Sequence, residues 1–230
     1  MSNNTESNNS EISIQVSLSG YSFKVTGTGS EQKTGWLGAE KIFTTKEFQK
    51  KYSCVRISLM TPKTALVPEQ FFDAMKTKEA LGEVVRLNAD DNVEHIRLAG
   101  YGAVLLFSNS IGETLSRTIA QTVLTTDGYQ ARVLPEMYYM IEALSSCTEY
   151  NKIIASYADG WLYLVIAQGK SILLANSFRA PDFTTAEYFI FLSMKKLQLN
   201  PEVSSVCFRT PVSQDEEMSL YRYFKAVEIL

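Results

Sequence analysis

The sequence predicts an α/β fold with two related lobes, and this prediction depends on three observations. Residues 12–25 and 152–165 each alternate apolar and polar side chains around a short turn, which is typical of a β-hairpin. After each hairpin the predicted order is strand, helix, strand, helix, although the first half carries extra elements. The two hairpins also match at a fixed offset of 140 residues. Two copies of a βββαβα unit would form two lobes that face each other across a cleft. The matching pairs are Gly20 with Gly160, Ile14 with Ile154, Tyr21 with Trp161, Phe23 with Tyr163 and Val25 with Val165.

The composition is that of a globular protein. The chain has 230 residues, of which 45% are hydrophobic and 20% are charged, and this excludes a disordered, collagen-like or coiled-coil chain. The net charge is only −3, so we expect no general attraction to nucleic acid or to an anionic membrane surface. The longest apolar run, residues 161–167, is far shorter than the ~20 residues that a membrane-spanning helix needs. We therefore expect neither nucleic-acid binding nor membrane insertion.

The first half begins with a polar tail. Residues 1–11 are rich in Asn and Ser and lack the basic start and apolar run of a signal peptide, so we expect them to be disordered.

The rest of the first half is predicted to contain both strands and helices. We predict strands over residues 12–18, 21–25, 36–43 and 54–60 and a hairpin over residues 95–107. We predict a short helix after Thr45, a helix over residues 68–78 with Phe71, Phe72 and Met75 facing inward, and a helix from Ser110 to residue 121.

The second half carries the clearest signals. Asp159-Gly160 lies between two apolar runs and strongly predicts a two-residue hairpin turn. The helix that begins at Thr184 ends before Asn200-Pro201. On this helix Ala186, Ile190, Ser193 and Leu197 fall on one stripe, which is expected to pack against the neighbouring sheet. We predict strands over residues 132–134, 152–157, 161–167, 171–178, 203–208 and 225–230, and further helices over residues 135–145 and from Gln214.

The cysteines indicate neither a metal site nor a disulfide framework. Cys54, Cys147 and Cys207 are an odd number and are widely separated in sequence, and the chain has a single histidine, His95. Each cysteine is therefore expected to be a structural thiol in a reducing cytoplasm.

Four stretches of the chain resemble a known family. Residues 12–23, 153–178, 183–189 and 197–202 are similar to an uncharacterised bacterial family, a domain-of-unknown-function family of the 3822 type. The likeness covers most of the chain, is strong at both hairpins and is poor over residues 27–91. This family is similar in turn to the actin-like ATPases, whose fold is a duplicated ribonuclease H-like unit.

The resemblance implies two ribonuclease H-like lobes in an actin-like ATPase arrangement. The first lobe would cover residues 12–134 and the second residues 135–230, and each mixed sheet would open with an antiparallel hairpin. Cytoplasmic proteins of type IV pili and of secretion systems are the nearest relatives in architecture. Because the family has no established activity, the resemblance transfers the fold and not the function.

The resemblance also implies where a nucleotide would bind. An active actin-like ATPase needs a carboxylate at the end of the first strand of each lobe to hold Mg²⁺ through water. The corresponding stretches contain Ser17 and Ser156, and the nearest acid, Asp159, occupies a turn position that explains it without a metal contact. The nucleoside would need a pair of glycines where this sequence has Arg209-Thr210. Together these departures predict a degenerate site.

Other chemistries fit the sequence less well. A ribonuclease H-like nuclease would need several convergent acids that begin on the first strand, and none lies there. Asp90-Asp91 and residues 215–217 are acidic runs in polar surroundings, which predicts solvated loop or helix-start acids. His95 lacks a plausible Ser or Cys partner and is expected to be a structural or surface residue.

These observations lead to the hypothesis of a catalytically inactive cytoplasmic pseudoenzyme that acts by binding another protein. The identity of that protein is unknown. We assign no catalytic, cofactor-binding or metal-binding residue and expect no cofactor. The alternative is a divergent nucleotide-binding protein, or a weak ATPase, in which main-chain groups replace the lost acids.

Overall fold

A computed structural model of the chain describes residues 10–27, 31–110 and 113–230. The tail expected to be disordered lies outside the described residues as far as residue 9. Glu11, at its end, already begins the first strand.

The chain forms two compact units. The first consists of residues 1–59 and 112–134, and the second of residues 60–111 and 135–230. The sequence predicts a division between residues 134 and 135, and the chain makes the last of its three crossings between the units at this point. However, the prediction assigned the segment 60–111 to the first lobe, whereas this segment belongs to the second compact unit.

Strands and helices are mixed along the whole described chain, as expected for an α/β protein. The strands are β1 (Glu11–Val16), β2 (Tyr21–Thr26), β3 (Gln32–Lys33), β4 (Lys51–Tyr52), β5 (Cys54–Leu59), β6 (Thr64–Pro68), β7 (Glu94–Leu98), β8 (Ala103–Phe107), β9 (Leu124–Thr125), β10 (Val133–Pro135), β11 (Asn151–Ala158), β12 (Trp161–Gln168), β13 (Ser171–Arg179), β14 (Ser205–Phe208) and β15 (Ala226–Ile229). The α-helices are α1 (Thr77–Gly82), α2 (Glu113–Thr122), α3 (Glu136–Ala143), α4 (Phe183–Lys196) and α5 (Gln214–Tyr221), and 3₁₀ helices cover Ala39–Thr44, Lys46–Gln49, Glu69–Phe71, Ala74–Lys76, Ala99–Tyr101 and Pro201–Val203.

The first unit is built on a mixed sheet with the strand order β10-β5-β1-β2-β3. β1 runs antiparallel to β2 and parallel to β5. Because side chains alternate between the faces of a strand, Ile12, Ile14 and Val16 share one face. There they form the core of the unit with α2 and the 3₁₀ helices that follow the hairpin. The opposite face is polar and carries Ser13, Gln15, Ser22, Lys24 and Ser58.

The second unit contains a mixed sheet of the order β13-β12-β11-β14-β15. Numbered within its own sheet, this is the same order as in the first unit: third, second, first, fourth, fifth. One face packs against α4 and α5 through Ile153, Leu164 and Phe208. The other face, with Ile154 and Val165, is equally buried and lies under α3. Both faces of this sheet are therefore apolar. The prediction of two mixed sheets that open with antiparallel hairpins is confirmed.

The segment 60–111 forms a separate antiparallel sheet in the order β6-β8-β7. Leu81 of α1 packs on Val104 and Leu106 of the central strand, and these residues form a small core. The segment contacts the larger sheet of its unit where β6 meets β13, and the Ser177 hydroxyl donates a hydrogen bond to the Pro62 carbonyl oxygen at 3.4 Å.

The two hairpins match in pairing and in face at an offset of 141 residues, so the predicted offset of 140 is wrong by one. Ile14 pairs with Phe23, and Ala155 pairs with Leu164 in the second hairpin. All four residues face the core of their own unit. Adding 140 to Ile14 gives Ile154, which lies on the opposite face because a shift of one residue reverses every side chain of a strand. The false match arose because both faces of β11 are apolar.

The third strand of the first unit differs from the prediction. Residues 36–43 were expected to be a strand, but Leu37 makes only an isolated bridge to Tyr21 and a 3₁₀ helix follows from Ala39. On the side away from β1, the strand that pairs with β2 is β3. Both side chains of β3 are exposed, so its sequence lacks the alternation of apolar and polar residues that predicts a strand.

The helix predicted over residues 68–78 is also wrong. Two separate 3₁₀ turns precede α1, and the Asp73 side chain accepts a hydrogen bond from the Met75 amide at 2.9 Å, which starts the second turn. This break changes which side chains face the core. Phe72 packs inward, whereas Phe71 is 73% exposed and Met75 is 92% exposed.

The packing of α4 is largely as predicted. Asp182 caps its start by accepting a hydrogen bond from the Thr185 amide at 2.7 Å. Ala186, Ile190 and Ser193 are buried against the sheet as expected. Leu197 lies just beyond the helix and is only half-buried, while Met194 is fully buried. The 3.6-residue period identified the correct face but not the end of the helix.

Candidate functional site

The Ser17–Gly20 turn lies where the first phosphate-binding stretch would be expected. The Ser17 amide donates to the Gly20 carbonyl oxygen at 2.8 Å, and the Ser17 and Ser19 hydroxyl oxygens are 3.1 Å apart. A Cβ atom on Gly20 would lie 2.0 Å from the carbonyl oxygen of Leu37. The glycine is therefore required by the close approach of the Leu37 backbone, whether or not a phosphate ever binds here.

The Asp159–Gly160 turn occupies the equivalent position in the second unit. Both residues have positive φ, 52° and 71°, as a tight two-residue hairpin turn of the mirror-image type requires. Arg179 donates from Nη1 to the Asp159 carbonyl oxygen at 3.2 Å, and the Ala180 amide donates to the Gly160 carbonyl oxygen at 2.9 Å. The predicted hairpin turn is confirmed, and its backbone is held by the last residue of β13 and by the residue after it.

A buried charged cluster surrounds Ser156. The Ser156 hydroxyl donates to Oε1 of Glu136 at 2.7 Å, and Arg209 donates from Nε to the same oxygen at 2.8 Å. Glu136 is completely buried, and the Arg209 guanidinium also lies over the Tyr139 ring, 5.8 Å from its centroid. A buried carboxylate needs such a partner, because an unpaired charge in the interior is strongly unfavourable.

Three elements bring this cluster together. Pro135 precedes α3 and places Glu136 in the first turn, where the helix dipole favours a negative charge. Ser156 is on β11, and Arg209 directly follows β14, the parallel neighbour of β11. Glu136 was not predicted from the sequence. The sequence shows Pro135-Glu136 at the start of a predicted helix, but it does not show that Glu136 contacts Ser156 and Arg209, which are far away in the chain.

The Arg209-Thr210 position, where a nucleoside would need glycines, is filled by side chains. Thr210 is fully buried, and its hydroxyl oxygen accepts a hydrogen bond from the Tyr157 amide at 2.9 Å. The Arg209 amide donates to the Ala155 carbonyl oxygen at 2.9 Å, so the backbone continues the ladder between β11 and β14. Arg209 thus adds one backbone hydrogen bond to the ladder, and the Thr210 side chain accepts from the next free amide of β11.

A second buried ion pair lies in the segment 60–111, and it corrects the prediction for Asp91. This residue was expected to be a solvated acid but is buried, and Lys63 donates to its Oδ2 at 2.5 Å. Burial would raise the pKa of Asp91, but hydrogen bonds from Lys63, the Asn88 amide and the Ser108 and Ser110 hydroxyls outweigh it and hold the pKa below its ordinary value. Asp90, its neighbour, is exposed as predicted.

The other acids and His95 behave as the sequence predicted. Residues 215–217 form the first turn of α5, where Ser213 and Glu216 make a capping box. His95 is exposed and packs its ring 4.9 Å from that of Phe72. Among the residues that the structure describes, no group of three or more His, Cys, Asp or Glu side chains is arranged to hold a metal ion. No helix within these residues is both long and apolar enough to span a membrane.

A groove lined by both apolar and charged residues lies on the segment 60–111. Its volume is about 210 Å³, and Val67, Phe72, Ala80 and Leu106 form its apolar part. Phe71 lines the groove with much of its ring exposed. The charged residues at the groove are Asp73, Glu79 and Glu83 with a single lysine, Lys76.

Comparison with known proteins identifies the family. The model of a family described as protein of unknown function (DUF3822) matches residues 2–227. A search of curated proteins finds no significant match.

Three solved structures are similar in fold. One is a protein from Bacteroides thetaiotaomicron described as having an actin-like ATPase fold and unknown function, with a TM-score of 0.65, 17% identity and coverage of 100% of this chain and 94% of that chain. Another is the cytoplasmic domain of EpsL, an inner membrane component of the type II secretion system of Vibrio cholerae, with a TM-score of 0.51, 10% identity and coverage of 89% and 84%. The third is the PilM–PilN type IV pilus biogenesis complex, with a TM-score of 0.50, 12% identity and coverage of 96% and 88%. At these identities the likeness establishes the fold alone, and it is the fold that the family resemblance of the sequence implied. The chain therefore belongs to the DUF3822 family of proteins of unknown function, and its fold is that of the actin-like ATPases.

Proposed function

We propose that this protein does not hydrolyse nucleotides and acts by binding another polypeptide. The first part rests on the cluster around Ser156. The acid that lies against Ser156 is Glu136, and its charge is already balanced by Arg209 at 2.8 Å. A carboxylate that binds Mg²⁺ through water must be able to turn toward solvent, and Glu136 is fully buried.

The second part rests on the groove of the segment 60–111, and the exposure of Phe71 and Met75 is the observation that carries it. Phe71 lines the groove, and Met75 follows four residues later with its side chain exposed. Large exposed apolar side chains at a groove are typical of a protein-binding surface. Three acids and one lysine line the groove, so its charge is 1 − 3 = −2. We infer a partner segment that offers apolar side chains and is flanked by Lys or Arg.

The neighbours in fold are consistent with this proposal. One of them is the PilM–PilN complex, which contains two proteins, and the fold of this chain is similar to that structure. The cytoplasm is the compartment we propose, because three free cysteines are typical of a reducing environment.

The ribonuclease H-like lobes at residues 12–134 and 135–230 are proposed to derive from an internal duplication. The common strand order of the two sheets and the match of the two hairpins at an offset of 141 residues support this. An experimental structure in which the two hairpins do not superpose at that offset would contradict the duplication.

The absence of hydrolysis is tested with the purified full chain. With millimolar Mg-ATP or Mg-GTP we expect no phosphate release above a blank and no change in melting temperature. A ligand at 100 times its Kd would add about 2.7 kcal/mol of stability, which a thermal shift assay detects readily. Stabilisation without turnover would favour the alternative, a divergent nucleotide-binding protein. Turnover that survives purification would contradict the proposal.

The binding surface is tested by selecting a random phage-displayed peptide library on the immobilised full chain. We expect the selected peptides to combine apolar residues with Lys or Arg and to bind less tightly as salt is raised. The double variant Phe71→Ser, Met75→Ser should weaken their binding by about tenfold or more, since exposed apolar anchors carry most of the energy of such interfaces. Tyr129→Ser, which removes an exposed aromatic ring outside the groove, is the matched control. Peptides that bind both variants equally would exclude this groove.

A further inference from the structure

Two of the three cysteines, far apart in sequence, meet in the second unit. Cys207 is on β14, and its neighbours Val206 and Phe208 point into the core under α4 and α5. Cys207 therefore faces the opposite side of the sheet, which α3 covers. Cys147 lies in the irregular loop that follows α3, with its sulfur 3.5 Å from the Ala143 carbonyl oxygen. There the Cys147 and Cys207 side chains interact with each other.

The groups around the two thiols differ. Glu228, the neighbour of Cys207 in the ladder between β14 and β15, places Oε2 3.6 Å from the Cys207 sulfur. Lys152 lies on the other side, near Cys147, with its ammonium donating to the Leu144 carbonyl oxygen at 2.7 Å. Cys207 is buried, whereas Cys147 is partly exposed to solvent. A reagent from solvent would therefore reach Cys147 first.

This arrangement separates the acidities of the two thiols. The interaction with Cys207 lowers the pKa of Cys147 to about 7, and Lys152 assists this shift, whereas burial and the charge of Glu228 oppose it. The pKa of Cys207 is raised by the interaction with Cys147, by burial and by the charge of Glu228. The accessible Cys147 thiol is thus the more acidic of the two and is converted more readily to the thiolate, the reactive form.

We propose that Cys147 and Cys207 are an oxidisable pair that forms a reversible disulfide when a peroxide is the oxidant. The Cys147 thiolate attacks one peroxide oxygen, the O–O bond breaks, and the released hydroxide takes up a proton to become water. The Cys147 sulfur is now a sulfenic acid. Cys207 then attacks this sulfur, the S–S bond forms, the S–O bond breaks, and the oxygen leaves as water with the Cys207 proton. Two thiols are oxidised, and one peroxide is reduced to two waters. A low-molecular-weight dithiol reverses the reaction by exchange.

Bond formation requires the sulfurs to approach to about 2.05 Å. Cys207 is held by its strand, so the approach falls to Cys147 in the loop between α3 and β11. The disulfide would fasten the end of α3 to β14. Glu136, at the start of α3, already links the other end of this helix to Arg209, which follows β14. Oxidation would therefore tie α3 to the sheet at both of its ends.

The test uses the full chain, treated with hydrogen peroxide and then alkylated under denaturing conditions. We expect the number of free thiols to fall from three to one, and the mass spectrum of an unreduced digest to show a peptide that joins Cys147 to Cys207. Dithiothreitol should restore all three thiols. Cys54→Ser is the matched control and should still lose two thiols. Cys147→Ser and Cys207→Ser should each form no intramolecular disulfide.

The order of attack has its own readout. Brief iodoacetamide labelling of the reduced protein should modify Cys147 first, with a rate that rises to half its maximum near pH 7. In Cys207→Ser, peroxide should leave Cys147 as a sulfenic acid that a dimedone probe traps. Should that variant not fold, the digest of the oxidised natural sequence decides the matter alone. A disulfide that includes Cys54, overoxidation without a disulfide, or unchanged thiols would each overturn the proposal.

Discussion

The two five-stranded sheets of this protein share a strand order and differ in what their second face does. In the first unit the face opposite the core carries polar residues such as Ser13 and Gln15. At the 141-residue offset these positions become Ile154 and Ser156 in the second unit, where α3 covers the face. The same strand order thus forms a sheet with one apolar face in the first unit and a sheet with two apolar faces in the second.

The difference explains how each sheet accommodates buried polar groups. In the first unit the buried Ser22 hydroxyl donates to Oε1 of Gln15 at 3.3 Å, a neutral pair. In the second unit the residue equivalent to Gln15 is Ser156, which contacts a buried ion pair instead. A covering helix excludes water, so a charge beneath it needs a charged partner, whereas a neutral amide needs only one hydrogen bond.

The largest expected effect comes from breaking the ion pair of the second unit. Arg209→Met should reduce the free energy of unfolding by about 3–5 kcal/mol, because it leaves Glu136 buried without its cation. Ser22→Ala, which breaks the neutral pair of the first unit, should cost about 1 kcal/mol. Urea denaturation of both variants gives the comparison. The double variant Glu136→Leu, Arg209→Met should recover much of the loss, and equal costs for the two single variants would refute the distinction drawn between the sheets.

The second prediction tests whether the faces differ in burial as described. Ile154→Ala should cost about 2–5 kcal/mol, since its side chain is fully buried beneath α3. Ser13→Ala at the equivalent position of the first unit should change the stability by less than about 0.5 kcal/mol. Both values follow from the midpoints of denaturant unfolding. A small loss for Ile154→Ala would mean that α3 does not seal this face.

A third prediction concerns the turn of the first hairpin. Gly20→Ala should cost about 1–3 kcal/mol, because the added methyl group would lie 2.0 Å from the Leu37 carbonyl oxygen and force the backbone apart. At Gly100 a Cβ atom would meet nothing within 4 Å, so Gly100→Ala should be close to neutral. Thermal unfolding followed by circular dichroism distinguishes them. Equal melting temperatures would show that the Leu37 backbone can move away freely.

The fourth prediction uses pH to compare the buried Asp91 with its exposed neighbour. Because the pKa of Asp91 is lowered in the folded chain, its ion pair stabilises the fold above its ordinary pKa of 3.8, and this contribution is lost as the pH falls below that value toward the folded pKa. The stability of Asp91→Asn should therefore depend less steeply on acid pH than that of the natural sequence. Asp90→Asn should keep the steep dependence. Parallel curves for all three proteins would exclude this role for Asp91.

The smallest effect is expected at the turn of the second hairpin. Asp159→Asn should change the stability by less than about 0.5 kcal/mol, since Asn-Gly suits a turn with two positive φ angles as well as Asp-Gly does. It should also leave phosphate release from Mg-ATP at the level of a blank. Turnover that is present in the natural sequence and disappears in this variant would instead identify Asp159 as a ligand of the metal or of water.

Local signals in the sequence predicted most of the elements. The Asp159-Gly160 turn, the capping box of α5 and the buried stripe of α4 each depend on residues that are close in sequence. The same reasoning failed at residues 68–78, where a single side-chain hydrogen bond from the Met75 amide to Asp73 divides one apparent helix into separate turns. Apolar residues at helical spacing cannot reveal such a break, because Phe71 and Met75 would look the same in either case.

The candidate sites needed the tertiary structure for a different reason. The sequence by itself determined the two hairpins, their apolar character and the absence of an acid at positions 17 and 156. Only the fold decided that Glu136 and Arg209 meet at Ser156, that Lys63 pairs with Asp91, and that Cys147 reaches Cys207. Each of these contacts joins residues from separate elements, and strand order and helix placement fix such contacts. Burial then makes them strong, because a charge or thiol removed from water interacts mainly with the few groups packed against it.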